Sequence, residues 1–223
     1  MRILIINPNS SEDMTRAIQN AAERYAGNVF EVASLATPGA PPFIDTYEDQ
    51  LKAAPGMIRL LRENESNYEG FVLACHCDPN LDAMKEITEK PVVGIGEASM
   101  KMATFLGHRF AVVSTCAHSV PNKEALIRKY HLQDLGTVVA PGKDLAGRGD
   151  GEKILETSRL AVERDRAEVI VLGCAGLAGL DRRIQKALNV PVLDGVACAL
   201  IIVTGLVRYG VSTSKIGRYN PLA

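Results

Sequence analysis

Short runs of β-branched and other apolar residues alternate along the chain with stretches of helical length. Several of these runs are apolar without strict alternation, as is expected for strands that crossover helices bury on both faces. Alternating strands and helices are typical of α/β proteins with parallel sheets. The pattern therefore predicts an α/β fold with mainly parallel strands at residues 3–6, 29–33, 70–74, 91–94, 110–114, 137–140, 169–173 and 191–193.

Helix-start signals follow the ends of two predicted strands. Ser10 and Ser11 precede Glu12 and Asp13, which supplies capping hydroxyls and acidic residues for the first turn of a helix. Asp78, followed by a proline, predicts another helix start. Helices thus begin just after strands end, at the edge where open parallel sheets bind ligands.

An internal repeat divides the chain into two similar halves. Residues 70–102 resemble residues 168–202, since in each an apolar strand ends in a cysteine, a polar helix follows, and a Pro-Val strand leads into an apolar helix. The repeat predicts two α/β lobes, related by pseudo-twofold symmetry, with the active site between the carboxyl ends of their strands. We assign residues 1–97 and 205–223 to the first lobe and residues 98–204 to the second.

Composition and charge narrow the class of partner. The chain has 223 residues, of which 47% are hydrophobic and 23% charged, and this ordinary globular composition excludes disordered and disulfide-scaffold proteins. A formal net charge of −1 lacks the basic excess of nucleic-acid and anionic-membrane binders. The absence of tryptophan disfavours a stacking platform for bases. A small-molecule substrate or a protein partner is therefore expected.

The apolar runs are too short for export or for membrane insertion. Residues 3–6 are shorter than the apolar region of a secretory signal. Residues 196–207 include Thr204 and Gly205 and fall short of the roughly 20 residues that span a bilayer, so they predict a buried helix. We expect a cytoplasmic protein whose five cysteines are free thiols.

Turn-rich stretches at residues 36–47 and 141–151 are the longest loops of the predicted fold. Loops of this length often close over bound ligands. We interpret both as lids.

Cys75 and Cys174 are the candidate catalytic residues. Each lies where a predicted buried strand gives way to a helix, and a helix N-terminus lowers the pKa of a thiol towards neutral pH. Two thiols on opposite sides of one carbon can invert its configuration, because one removes a proton and the other returns a proton to the opposite face. A single buried cysteine is more often a small apolar side chain. The equivalence of the two in the repeat favours the catalytic interpretation.

Motifs along the whole chain identify a family. They are ILIINPNSS, ACHCDPNLDA, PVVGIGEA, AVVST, VLGCAGLAGL, PVLDGV and TSKIGRY. With them the chain resembles the Asp/Glu racemase superfamily, and within it the hydantoin racemase branch, which includes the allantoin racemases. The resemblance implies a racemase that uses no cofactor, forms a homo-oligomer and moves a proton between two cysteines, here Cys75 and Cys174.

A hydantoin that loses its C5 proton becomes an enolate, and N–H donors near the ring carbonyl must stabilise the negative charge. The turns that follow the strands can supply such donors. We expect the substrate to be bound at Asn7, Asn9, His76, Cys77, Asp78, Ser114, Thr115, Ala175 and Gly176.

Other activities stay open at this point. The amino-acid racemases that the chain resembles usually carry Asn-Thr after the first cysteine, where this chain has His76 and Cys77. This difference disfavours aspartate or glutamate as substrate, and Arg148 is the arginine in the matching loops that could bind their carboxylates. Maleate cis-trans isomerases keep both cysteines, whereas the superfamily's decarboxylases lack the first. A two-lobed binding protein without catalysis would need neither thiol.

The remaining thiols raise two further hypotheses. Cys77 and Cys116 lie near His76 and His118, but the paired C-x-x-C or H-x-x-x-H spacing of structural zinc is absent, so no metal site is predicted. The adjacent thiols of Cys75 and Cys77 could oxidise, which would stop catalysis.

Overall fold

A computed structural model describes residues 1–142 and 150–220. The strands are β1 (Arg2–Asn7), β2 (Glu31–Ala36), β3 (Gly70–Leu73), β4 (Val92–Gly94), β5 (Phe110–Val113), β6 (Gly136–Val139), β7 (Val169–Leu172) and β8 (Val192–Leu193). The α-helices are α1 (Glu12–Ala26), α2 (Tyr47–Asn64), α3 (Leu81–Ile87), α4 (Ile95–Ala103), α5 (Val120–Lys129), α6 (Gly151–Asp165), α7 (Asp181–Leu188) and α8 (Gly195–Tyr209). Short 3-10 helices, Ala117–Ser119 and Ala175–Leu177, follow β5 and β7.

Within the described residues, the strands form two four-stranded sheets, with the orders β2-β1-β3-β4 and β6-β5-β7-β8. All of the neighbouring strands run parallel. The second order repeats the first strand for strand, so β3 and β7 occupy equivalent places. The predicted α/β fold with two similar lobes is confirmed.

The predicted strand at residues 29–33 is displaced in the structure. The chain turns over residues 27–30, Gly27 adopts a φ of 53°, and β2 begins only at Glu31. Val29 is exposed in that turn. Val29, which is β-branched, and the aromatic Phe30 resemble the start of a strand, but both lie in the turn that precedes β2.

The central strand of the first sheet shows why its sequence lacks alternation. Ile3 and Ile5 of β1 pack in a core shared with α1 and α8. Leu4 and Ile6 pack on the opposite face, in a core shared with α2 and α3. Both faces are buried, so every position from 3 to 6 is apolar. Each of these buried aliphatic side chains stabilises the fold by roughly 1.5–3 kcal/mol.

Helix α8 covers the first sheet. It contacts α1, β3, β4 and α4, and its residues Val196, Leu200 and Val203 are buried. The buried helix predicted at residues 196–207 is confirmed. No helix in the described part of the chain is long and apolar enough to cross a membrane.

Helix α4 connects the two cores. Its Ile95 and Ala98 pack in the core of the first sheet, whereas Met100 and Ala103 pack against Phe110 in the core of the second. One helix thus serves both lobes. The division of the chain at residues 97 and 205 stays a prediction.

Candidate active site

A cavity of about 390 Å³ lies where the carboxyl ends of β1, β3, β5 and β7 meet. The segments that follow these strands line it, together with α1, α5 and the loop at residues 36–47. Its volume is typical of sites for small molecules. The predicted site residues that line it are Asn9, Cys75, His76, Cys77, Thr115, Cys174 and Ala175.

Cys75 and Cys174 enter this cavity from different lobes. Cys75 lies two residues beyond the end of β3, and Cys174 lies two residues beyond the end of β7. Because β3 and β7 hold equivalent places in the two sheets, the repeat seen in the sequence delivers two equivalent thiols to one space.

The Cys174 thiol differs from the sequence-based expectation of a lowered pKa. Burial raises the pKa of Cys174, and the backbone N–H of Gly176, which donates to its Sγ at 3.4 Å, offsets this only in part. The segment after β7 is a short 3-10 helix rather than a long α-helix, so its dipole is small. Cys174 is therefore a thiol, a proton donor, at neutral pH.

Cys75 and Cys77 form a thiol pair. Their Sγ atoms are 3.7 Å apart, within the distance of an S–H···S hydrogen bond. The Cys75 hydrogen bond, aided by the charge of Lys123, lowers the pKa of Cys77 to about 6. The same hydrogen bond and burial raise the pKa of Cys75. The pair therefore carries one negative charge at neutral pH, and the two sulfurs share the remaining proton.

His76 lines the cavity as a neutral ring. Its side chain is buried, and Ser99 Oγ lies 3.3 Å from its Nε2. Burial, followed by the charge of Lys123, lowers the pKa of His76 to about 3. Its Nδ1 atom is buried without a hydrogen-bond partner among the residues described. His76 thus contributes an uncharged imidazole rather than a cation.

The two predicted asparagines have different places. Asn9 lines the cavity, whereas Asn7 is fully buried behind it. The Asn7 Nδ2 donates to Asn9 Oδ1 at 2.8 Å and to Thr15 Oγ1 at 2.9 Å. Asn7 therefore holds Asn9 in position from β1.

The second lobe shows a similar division. Thr115 lines the cavity, but Ser114 is buried and its hydroxyl bonds to that of Ser119. Ala175 lines the cavity, while the contact of Gly176 with the site is its N–H bond to Cys174.

The carboxylate of Asp78 caps a helix. Its carboxylate accepts from the backbone N–H groups of Gly96 at 3.0 Å and Glu97 at 2.6 Å, and from Tyr130 Oη at 2.7 Å. It thereby caps α4, the helix after β4, and not α3 as the Asp-Pro pattern predicts, since Asn80 precedes α3. Asp78 is not among the residues that line the cavity and its oxygens accept from these three donors, so its contact with the substrate ring stays a prediction.

Part of the cavity wall consists of residues that were not predicted from the sequence. Phe43, Ile44 and Asp45 come from the loop at residues 36–47, whose length was the signal for a binding element. Lys123 and Asn122 come from α5, where nothing in the sequence marked them. The second predicted lid falls largely on residues 143–149, and it lies with Arg148 outside the described residues.

No cluster of three or more His, Cys, Asp or Glu side chains suited to a metal ion occurs among residues 1–142 and 150–220. Cys75, Cys77 and Cys116 are free thiols. The described side chains of the site are thiols, neutral polar and apolar groups, Lys123 and the exposed carboxylate of Asp45, and the thiols are suited to proton transfer.

A model of the Asp/Glu/hydantoin racemase family matches residues 3–201. The chain belongs to this family. The family identified from the sequence motifs is confirmed, and the enzyme is a racemase.

The chain is similar in sequence to hydantoin racemases and in structure to allantoin racemases. The chain is 36% identical over 227 residues to a hydantoin racemase of Pseudomonas sp. (strain NS671), covering 99% of this chain and 91% of the relative. An allantoin racemase from Pseudomonas fluorescens superimposes with a TM-score of 0.93 at 32% identity, covering 100% of this chain and 99% of that one. An allantoin racemase from Klebsiella pneumoniae gives a TM-score of 0.92 at 35% identity, covering 97% and 91%.

Proposed function

We propose that the enzyme racemises 5-substituted hydantoins, a class that includes allantoin, by exchanging the C5 proton between Cys75 and Cys174 without a cofactor. One observation carries this proposal: the two thiols follow equivalent strands of the two sheets and line one cavity. The names of the relatives, hydantoin racemase and allantoin racemase, support the substrate class.

The charges of the site assign the roles at the start of a turnover. The Cys75–Cys77 pair carries a negative charge, so Cys75 can act as a thiolate base once Cys77 holds the shared proton. Cys75 takes the C5 proton, and the electron pair of the C–H bond moves into the ring and onto the carbonyl oxygen. Cys174, still a thiol, gives its proton to the opposite face of C5. The product is the other enantiomer, and the thiolate now lies on Cys174.

The enzyme in this second state is ready for the reverse reaction. Cys174 removes a proton from the opposite enantiomer and the Cys75 side returns one, so no proton is gained or lost over the two turnovers. The raised pKa of Cys174 makes its thiolate a strong base. Both enantiomers are therefore substrates.

Neutral donors and apolar side chains complete the site. The Asn9 amide and the Thr115 hydroxyl line the cavity and are placed to bind the ring carbonyl oxygens, on which the enolate charge develops. Asn7 fixes the Asn9 amide. Phe43 and Ile44 cover the cavity from the loop and reduce the access of water to the enolate.

Proton NMR in D2O tests the proposal. The purified enzyme, without added cofactor, is incubated with single enantiomers of 5-benzylhydantoin, allantoin, aspartate and glutamate, and with maleate. Loss of the C5 or α-proton signal and of optical rotation is followed. Cys75→Ser and Cys174→Ser are compared with Cys198→Ala, a buried cysteine of α8 that does not line the cavity.

Racemisation of a hydantoin above the uncatalysed rate, lost in both cavity variants and kept in Cys198→Ala, is the expected result. Exchange of aspartate or glutamate alone would move the enzyme to the amino-acid racemases, and maleate turnover would indicate an isomerase. Full hydantoin activity in either Cys75→Ser or Cys174→Ser would refute the two-thiol mechanism.

Two of the properties predicted from the sequence do not depend on the cavity. A cytoplasmic location and a homo-oligomeric state stay predictions. Size-exclusion chromatography with light scattering measures the second directly.

A further inference from the structure

Lys123 is a buried cation in the wall of the active-site cavity. Its exposed fraction is 4%. Its Nζ donates to Ser119 Oγ at 3.2 Å, and within residues 1–142 and 150–220 no carboxylate lies within ion-pairing distance. Because an ammonium has three N–H donors, two of them have no partner among these residues.

The place of Lys123 in the fold is unfavourable in two ways. Lysine is rarely this buried unless it is paired, because desolvating the ammonium costs several kcal/mol. Lys123 is also the fourth residue of α5, and a cation in the first turn of a helix opposes the helix dipole. An anion in the cavity would offset both costs.

The other charged groups of the cavity do not pair directly with this ammonium. Asp45 is the carboxylate among the described lining residues, and it is exposed and not paired with Lys123. The charge of Lys123 lowers the pKa of Cys77 and Cys174, but within the described residues its Nζ donates to Ser119 and to neither sulfur. The ammonium is thus close to the reacting groups without being held by them.

The chain leaves room for this lysine beside a catalytic thiol. Gly173 directly precedes Cys174, and a Cβ at Gly173 would lie 3.1 Å from Lys123 Cε. The missing side chain lets the lysine stem pass close to the end of β7. Ser119 accepts a hydrogen bond from the ammonium, and Asn122 lines the same cavity.

We propose, resting on the function proposed above, that Lys123 binds a carboxylate on the C5 substituent, so that the preferred substrates are hydantoins bearing a short acidic side chain. A charged hydrogen bond from Lys123 is stronger than one to a neutral acceptor. Carboxymethyl and 2-carboxyethyl substituents are the smallest members of this class. Asn122, which lines the same cavity, provides a further donor to this carboxylate.

Paired substrates test the proposal. The values of kcat/KM are measured for 5-(2-carboxyethyl)hydantoin and for its uncharged amide, 5-(2-carbamoylethyl)hydantoin, which has nearly the same shape. The unaltered enzyme is compared with Lys123→Met and with Lys123→Arg, which keeps the charge. Lys186→Met, an exposed lysine of α7, is the matched control.

The unaltered enzyme is expected to favour the carboxylate by about tenfold or more. Lys123→Met should abolish this ratio, Lys123→Arg should restore part of it, and Lys186→Met should leave it unchanged. An equal loss for both substrates in Lys123→Met would overturn the proposal and assign Lys123 to the thiols alone. A preference for the amide in the unaltered enzyme would overturn it as well.

Calorimetric binding of the same two compounds separates this inference from the proposed function. Carboxylate binding that depends on Lys123, without racemisation, would support the anion site and refute the activity. Racemisation of neutral hydantoins, without a carboxylate preference in binding or turnover, would support the activity and refute the anion site.

Discussion

Removal of the Cys77 thiol should make the enzyme dependent on alkaline pH. In Cys77→Ala, the Cys75 thiol loses the partner 3.7 Å away with which it shares a negative charge. Cys75 is then a single buried thiol. The acid limb of kcat/KM should therefore move to higher pH, while catalysis by Cys75 and Cys174 itself persists.

The size of the effect follows from the two pKa values. A group with the pKa of about 6 that Cys77 has in the pair is about 90% ionised at neutral pH. A thiol at its ordinary pKa of about 8.5 is only about 3% ionised there. Because Cys77 holds part of the pair's charge, the variant should lose up to about 30-fold in kcat/KM at neutral pH and recover at alkaline pH.

The assay is a pH profile of kcat/KM together with a titration of thiolate absorbance in the ultraviolet. Cys198→Ala is the control, because burial raises the pKa of that thiol to about 12 and it should contribute nothing in the range examined. An acid limb at the same pH in Cys77→Ala and in the unaltered enzyme would refute the reasoning. So would the absence of a thiolate titrating near 6 in the unaltered enzyme.

Stability measurements give two further expectations. Burial, followed by the charge of Glu97, raises the pKa of Asp78 from 3.8 to about 7. Its protonated form thus stabilises the fold fully below about 3.8, and this contribution is lost as the pH rises through about 7. The free energy of unfolding from denaturant titrations should fall across that window and fall less in Asp78→Asn, and equal slopes would contradict this. In α8, nothing lies within 4 Å of a Cβ at Gly205, so Gly205→Ala should raise that free energy by about 0.5–1 kcal/mol. Gly173→Ala should lower it, because its Cβ would lie 2.7 Å from the carbonyl oxygen of Val113, and the opposite order of the two variants would contradict the packing described.

The sequence predicted the two thiols because they are marked by a repeat. Cys75 and Cys174 follow apolar strands in matching contexts, and equivalent places in parallel sheets carry them to the same edge. Local sequence patterns were enough to predict that the two thiols lie close together, since the fold places equivalent positions of the repeat at the same cavity. The same holds for the core of β1, where four consecutive apolar residues indicated burial on both faces.

Residues whose role depends on contacts between distant segments could not be predicted in this way. Lys123 lies between Asn122 and Glu124 in α5, a pattern typical of a solvated helix face, yet the fold buries it in the cavity wall beside the end of β7. Asp78 has the sequence context of a cap for α3, yet it caps α4, because the β3 and β4 ends lie side by side. The pKa of Cys174 could not be predicted either, since burial outweighs the single N–H bond to its sulfur.

Isotope incorporation at low conversion tests the two-thiol mechanism most directly. One enantiomer of a 5-substituted hydantoin is incubated with the enzyme in D2O, the enantiomers are separated by chiral chromatography, and the deuterium at C5 of each is measured by mass spectrometry. With Cys75 and Cys174 on opposite faces, the newly formed enantiomer should carry deuterium while the recovered starting enantiomer keeps its hydrogen. Equal deuterium in both enantiomers from the earliest times would show that one base serves both faces and would contradict the account.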